Sequence, residues 1–105
     1  MKVRYTPEAL TDLQEMSDYI SDVLCNPQAA AKIKKSILDS CSRLKDQPFL
    51  GPSVPKKTGC ETDLRFLVCE KHLAFYRIEN GYVSIARIIN GRQDTLRILF
   101  GDIGE

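Results

Sequence analysis

The chain has 105 residues, 43% of them hydrophobic and 28% charged, a size and balance that predict one globular domain over residues 1–105. Its net charge of +1 argues against a general electrostatic grip on nucleic acid, and no stretch approaches the roughly 20 apolar residues of a membrane span. We therefore expect a cytoplasmic protein without a membrane partner.

The chain begins with a short strand and a helix. Residues 2–5 alternate in character as a strand does, and Thr6 and Pro7 then supply the cap and the first position of a helix over residues 7–24. The apolar residues that recur at helical spacing are Leu10, Leu13, Met16, Ile20 and Leu24. This spacing predicts that one stripe of the first helix faces the core.

A second helix follows at once. Asn26 repeats the capping signal and Pro27 the opening one, and Pro48 ends the helix. Because so short a turn joins the two helices, they should pack antiparallel. The Gly and Pro content of residues 48–62 predicts a loop after them.

Beyond the loop, apolar residues recur about every 2 residues instead of about every 3.6, and this spacing indicates strands. Three segments carry it: "DLRFLVC", "HLAFYRIE" and "YVSIARIIN". Asn80-Gly81 between the last two is a strong hairpin signal. The order strand, helix, helix and three strands predicts an α+β fold, with an antiparallel helical hairpin on one face of a small antiparallel sheet.

The hairpin signal also predicts a register. With Asn80 and Gly81 as the two loop residues, the facing pairs are Ile78 with Val83, Tyr76 with Ile85, and Ala74 with Arg87. This register places Arg87 on the sheet face of Tyr76 and Ile85, and Arg77 on the other face.

The residue types argue against metal, cofactor and nucleophilic chemistry. The cysteines contain no C-x-x-C pair, and His72 is the single histidine, so we expect no metal or cofactor site and reduced, partly buried thiols. One histidine without a Gly-x-Ser-x-Gly elbow argues against a serine nucleophile, and no Gly-rich phosphate loop is present.

Arginine placement is the informative feature that remains. Arg65, Arg77 and Arg87 interrupt apolar strands, and Arg92 follows directly on Asn90-Gly91. An unpaired guanidinium is costly to bury, so each should reach solvent, a carboxylate or a bound anion. Two interpretations stay open: scaffold arginines paired with nearby carboxylates such as Asp63, or a concave sheet face on which two or more arginines bind an anion.

The whole layout resembles the RelE/ParE superfamily of bacterial type II toxins. The most specific elements of the resemblance are the Arg-Ile-x-x-Gly-Arg-x-Asp pattern of residues 87–94 and the Phe-Tyr-Arg strand at residues 75–77. The resemblance implies a toxin that is silenced by a cognate antitoxin, whose otherwise disordered segment folds across it. We expect the antitoxin to cover part of the basic face or the groove of the helical hairpin.

Two branches of this superfamily differ in their target. One cleaves mRNA at the ribosome and the other poisons DNA gyrase. Cleavage through the RNA 2′-hydroxyl requires a base, cations on the phosphate and an acid for the leaving oxygen. The cleaving branch commonly has an arginine before the Leu-Val-Tyr of its middle strand and a Tyr or His near its C-terminal end, where this chain has Leu73 and Thr95.

These departures leave phosphate-binding groups without a clear proton-transfer pair, and His72 is only a distant candidate. We therefore expect a ParE-like growth inhibitor that acts on DNA gyrase; the alternatives are a RelE-like ribosome-dependent mRNA interferase and a non-toxic antitoxin-binding module. The candidate binding residues are Arg65, Arg87, Arg92, Lys56 and Lys57. Of these, Arg65 and Arg92 are the catalytic candidates if the protein cleaves RNA.

Overall fold

A computed structural model describes residues 1–53 and 63–90. The elements are strand β1 (Lys2–Tyr5), helix α1 (Pro7–Asp18) with a π-helical turn (Tyr19–Val23), helix α2 (Pro27–Ser42) with a 3-10 turn (Arg43–Lys45), and strands β2 (Arg65–Cys69), β3 (His72–Glu79) and β4 (Tyr82–Asn90). The sheet order is β1-β4-β3-β2, in which β1 runs parallel to β4 and the other pairs are antiparallel. The predicted α+β fold is confirmed.

Both helices begin where their capping residues predict. The backbone N–H of Ala9 donates to Thr6 Oγ1, and that of Ala29 to Asn26 Oδ1, each at 3.1 Å. These bonds satisfy amides that have no acceptor within the helix. The Thr6 hydroxyl also donates to the carbonyl of Ala86 at 2.8 Å, so the cap ties the start of α1 to β4.

The first helix ends irregularly. Its α-helical part stops at Asp18, and a π-turn continues it to Val23. Cys25 then takes a φ of +53°, in the left-handed region that disfavours residues with a Cβ. Its side chain is exposed, whereas we expected partly buried thiols. The left-handed residue reverses the chain toward α2.

We expect Cys25→Gly to raise the free energy of unfolding by about 0.5–1 kcal/mol. Glycine adopts positive φ without a steric penalty, and this gain exceeds the cost of its greater freedom in the unfolded chain. Urea unfolding checks the change. Cys25→Ala, which removes the thiol but keeps Cβ, is the control and should stay within about 0.5 kcal/mol of the wild type. A glycine variant no more stable than the alanine one would contradict the backbone explanation.

The main core lies between the helical hairpin and the sheet. Its most deeply buried members, all fully inaccessible to solvent, are Ala9, Ile37, Cys41, Leu44, Ala74, Tyr76, Val83 and Ile85. Burial of a large apolar side chain contributes roughly 1.5–3 kcal/mol, so this layer is the chief source of stability. Leu10 and Leu24, predicted on the apolar stripe, are instead more than half exposed.

The β3–β4 hairpin follows the predicted register only in its first half. Tyr76 faces Ile85 as predicted, but the register shifts between Phe75 and Tyr76, so that Phe75 faces Arg87. The predicted pairing of Ala74 with Arg87 is therefore wrong. Ala86 is the extra residue of a β-bulge, which two-residue alternation does not reveal.

Candidate functional site

Arg87 is held by a carboxylate of the first helix. Its Nε donates to Asp12 Oδ2 at 2.7 Å and its Nη2 to Asp12 Oδ1 at 2.9 Å. The hydrogen bond to Asp12 raises the pKa of Arg87. Such two-pronged pairs are the strongest arginine contacts with carboxylates. This arginine therefore braces α1 against β4.

The same carboxylate completes the edge of β4. Pairing of β1 with β4 ends at Tyr5 and Ile85, so β1 offers no partner to the later amides of β4. The N–H of Ile88 donates to Asp12 Oδ2 at 2.9 Å instead. Asp12 thus takes the place of a strand neighbour where β1 has ended.

Arg65 fastens the start of the loop after α2. Its Nε donates to the carbonyl of Gly51 at 2.7 Å and its Nη1 to Ser53 Oγ at 3.2 Å, while its guanidinium carbon lies 5.1 Å from the centre of the Phe49 ring. The hydroxyl of Tyr76 accepts from the Gly51 N–H at 2.9 Å and donates to the carbonyl of Pro48 at 2.8 Å. Residues 48–53 are therefore bonded directly to the sheet.

Arg77 forms the carboxylate pair that the scaffold interpretation predicts. Its Nε lies 3.1 Å from Asp63 Oδ1, and both side chains are well exposed. Exposed pairs contribute between 0 and about 1 kcal/mol, so this one adds little stability.

The predicted basic residues do not form one cluster in the described part of the chain. Arg65 lies on edge strand β2 and Arg87 on β4, with β3 between them. Each is bonded to a different segment. Arg92, Lys56 and Lys57 lie outside the described residues, and their role in anion binding stays a prediction.

A groove of about 990 Å³ lies between the helical hairpin and the sheet, beside the start of β3 and the end of β4. We call it the hairpin groove. Its apolar lining comprises Met16, Ile20, Leu24, Ile33, Ile88 and Ile89. Charged side chains from both helices and from the β2–β3 turn stand among them, including Glu15, Lys32, Glu70 and Lys71. Tyr19 and Leu24, on the π-turn side, are more than half exposed.

His72 is a polar residue whose burial the sequence did not predict. It begins β3, lines the hairpin groove and is 8% exposed. Its Nδ1 is buried and has no hydrogen-bond partner among the described residues. Burial lowers the pKa of His72, so the imidazole is neutral near neutral pH. The sequence analysis named it only as a distant acid–base candidate. A lone histidine at the start of a strand carries no sequence signal of its burial.

A helical hairpin packs on a four-stranded mixed sheet that includes a strand at the N-terminus, and known proteins share this arrangement. The structure is similar to that of the chromosomal ParDE toxin–antitoxin system from P. aeruginosa, with a TM-score of 0.73 and 25% sequence identity over 86% of this chain and 95% of that chain. The sequence profile of the ParE toxin of type II toxin–antitoxin systems matches residues 3–95, and the chain belongs to that family. A search of curated protein sequences finds no match.

Membership of this family makes the protein a type II toxin and implies an antitoxin partner. Within residues 1–53 and 63–90, no helix has the length and apolar character needed to cross a membrane. The same residues contain no group of three acidic, histidine or cysteine side chains that could hold a metal ion.

Proposed function

We propose that this toxin inhibits growth by acting on DNA gyrase in the cytoplasm, without cleaving RNA. The observation that carries the proposal is that the two candidate arginines among the described residues form structural contacts within the protein. Arg87 is committed to Asp12, and Arg65 to the carbonyl of Gly51. RNA cleavage would require such arginines to bind phosphate beside a base and an acid.

The histidine gives no support to RNA cleavage either. His72 is buried on the helical side of the sheet, lines the hairpin groove and is neutral near neutral pH. A general acid or base must come within hydrogen-bond reach of the proton that it transfers. A strand of mRNA on the protein surface cannot bring its 2′-hydroxyl that close to a buried ring nitrogen of His72. The ParE family match also supports the gyrase branch of the superfamily.

We further propose that the antitoxin docks in the hairpin groove. The groove combines apolar side chains from both helices with exposed Tyr19 and Leu24 on its π-turn side. Exposed apolar surface joined to a groove marks a protein-binding site in a monomeric protein. An amphipathic segment laid into such a groove contacts it through side chains spaced by three or four residues.

Induction of the toxin in cells that lack the antitoxin tests the target. We expect growth arrest with loss of negative supercoiling in a reporter plasmid, while mRNAs stay intact. Arg92→Ala, which alters the predicted anion-binding residue, should restore growth while the circular dichroism spectrum stays unchanged. Rapid, translation-dependent cuts in mRNA would instead establish the interferase alternative, and normal growth on induction would establish a non-toxic antitoxin-binding module.

A further inference from the structure

The turn of residues 48–53 presents a large aromatic side chain to solvent. Phe49 is 70% exposed, more than any other large apolar side chain of the described residues, and its neighbour Leu50 is 39% exposed. Apolar residues scattered singly on a surface need no explanation. Two adjacent ones that the fold holds in a fixed position are different, because a fixed apolar projection is suited to entering a pocket on a partner.

The sheet holds this turn on both sides of the ring. The Gly51 N–H donates to Tyr76 Oη at 2.9 Å, and the same hydroxyl donates to the carbonyl of Pro48 at 2.8 Å. Phe49 lies in the chain between the two bonded residues. A partner that binds this turn therefore pays little to order it, and such preorganisation raises affinity.

Arg65 occupies one side of the ring. Its guanidinium carbon lies 5.1 Å from the centre of the Phe49 ring, while its Nε donates to the carbonyl of Gly51 at 2.7 Å. The rest of the ring and the adjacent Leu50 remain exposed to a partner. An apolar pocket in a protein fits both side chains, whereas a stacked nucleobase would use only the ring. The net charge of +1 also argues against nucleic acid as the partner.

The turn lies apart from the hairpin groove. Among the described residues that line the groove, none comes from the turn. The groove reaches β3 at His72, whereas the turn is bonded to Tyr76, four residues further along the strand. Four strand residues span about 13 Å. A partner on the turn and a partner in the groove therefore contact different surfaces.

Given the proposed action on gyrase, on which this inference rests, we propose that Phe49 and Leu50 form the anchor of the toxin on its target: the two side chains enter an apolar pocket on DNA gyrase. Aromatic side chains that fill such pockets carry much of the affinity of protein interfaces. An antitoxin in the groove still excludes an enzyme as large as gyrase, since only about 13 Å separates the two surfaces. A substitution in the anchor nevertheless affects gyrase binding alone.

The test compares Phe49→Ala with Leu10→Ala in the full-length toxin. Both changes truncate an apolar side chain that is more than half exposed, but Leu10 lies on α1 and does not line the groove. Binding of each variant to purified DNA gyrase is measured by biolayer interferometry with and without a DNA duplex, and inhibition of supercoiling is measured on gels. The antitoxin probe is the purified product of the short reading frame adjacent to the toxin gene, and its affinity is measured by calorimetry.

We expect Phe49→Ala to weaken gyrase binding and supercoiling inhibition by about thirtyfold or more, with or without DNA. Leu10→Ala should stay within about threefold of the wild type, and Phe49→Ala should keep its antitoxin affinity within the same range. Unchanged gyrase binding by Phe49→Ala would overturn the inference. A loss seen only with DNA would also overturn it in favour of a nucleobase on the ring, and equal losses of gyrase and antitoxin binding would do so by showing a general effect on the fold.

Two further measurements separate this inference from the proposals on which it builds. A wild-type toxin that neither binds nor inhibits gyrase would refute the proposed function and the anchor with it. If the wild type inhibits gyrase and Phe49→Ala inhibits it equally well, the anchor alone is wrong. Leu24 lines the groove and is 56% exposed, so Leu24→Glu should weaken antitoxin binding by about tenfold or more. Unchanged antitoxin binding in that variant would refute the docking site and leave the anchor standing.

Discussion

Gly51→Ala is expected to lower the free energy of unfolding by about 3 kcal/mol or more. A Cβ at this position would lie 2.0 Å from the carbonyl oxygen of Phe66 and 2.8 Å from its carbonyl carbon. Both atoms belong to the backbone of β2, which is paired with β3. The strand cannot move aside without loss of its ladder hydrogen bonds.

Movement of Gly51 itself is equally costly. Its N–H donates to Tyr76 Oη, and its carbonyl accepts from Arg65 Nε. A shift large enough to relieve the clash would break both bonds and leave the fully buried Tyr76 hydroxyl with fewer partners. The clash therefore has no inexpensive relaxation.

Urea unfolding at constant pH measures the effect. Gly81→Ala is the matched control, because Gly81 has a φ of +87° but nothing within 4 Å of an added Cβ. It should lose only about 1–2 kcal/mol, from backbone strain alone. A Gly51→Ala variant as stable as the Gly81→Ala variant would show that residues 48–53 do not lie against β2 as described.

Asp12→Ala is expected to cost about 2–3 kcal/mol of stability. The substitution removes the acceptor of two guanidinium hydrogen bonds from Arg87 and of the backbone N–H of Ile88. The Asp12 side chain is only 11% exposed, so water cannot fully replace it. The loss stays below that of a fully buried pair because Arg87 is 30% exposed.

A second ion pair, formed by a lysine and an aspartate, is a control for exposure. Lys35 and Asp39 lie 2.9 Å apart on α2 with both side chains well exposed, so solvent screening leaves this pair little effect on stability. Asp39→Ala should therefore change stability far less than Asp12→Ala. Equal effects of the two substitutions would contradict a structural role for Asp12.

The features that the sequence predicted well are local. The capping residues Thr6 and Asn26 bind backbone amides three residues further along the chain. Such a capping motif can be recognised from the local sequence alone. Strands β3 and β4 have the predicted bounds because two-residue alternation on either side of Asn80-Gly81 is equally local. The need of the strand arginines for partners was also predictable, since an unpaired guanidinium is costly to bury.

The features that the sequence did not predict depend on contacts between distant residues. Asp12 and Arg87 are 75 residues apart, and nothing in either segment marks the other as its partner. The bulge at Ala86 places one extra residue without disturbing the apolar pattern. The spacing of apolar residues on a helix likewise predicts an apolar face but not which of its residues lie deepest in the core. Ala9 is therefore buried while Leu10 is exposed.

The hairpin groove was only partly predictable. The sequence analysis expected the antitoxin on the helical hairpin or on the basic face, but it could not place His72 at the junction of groove and core. A lone histidine carries no sequence signal of its burial or of an unpaired Nδ1. The burial of His72 depends on which strand ends lie beside the π-turn that follows α1. The position of those strand ends is a property of the assembled fold.

The central proposal is most directly tested by purified DNA gyrase. Relaxed plasmid is incubated with gyrase, ATP and increasing amounts of the toxin, and supercoiling is followed on agarose gels. We expect the toxin to block supercoiling, and an equimolar amount of the antitoxin to restore it. Full gyrase activity at toxin concentrations that arrest growth, together with cleavage of mRNA in a translating extract, would contradict the proposal.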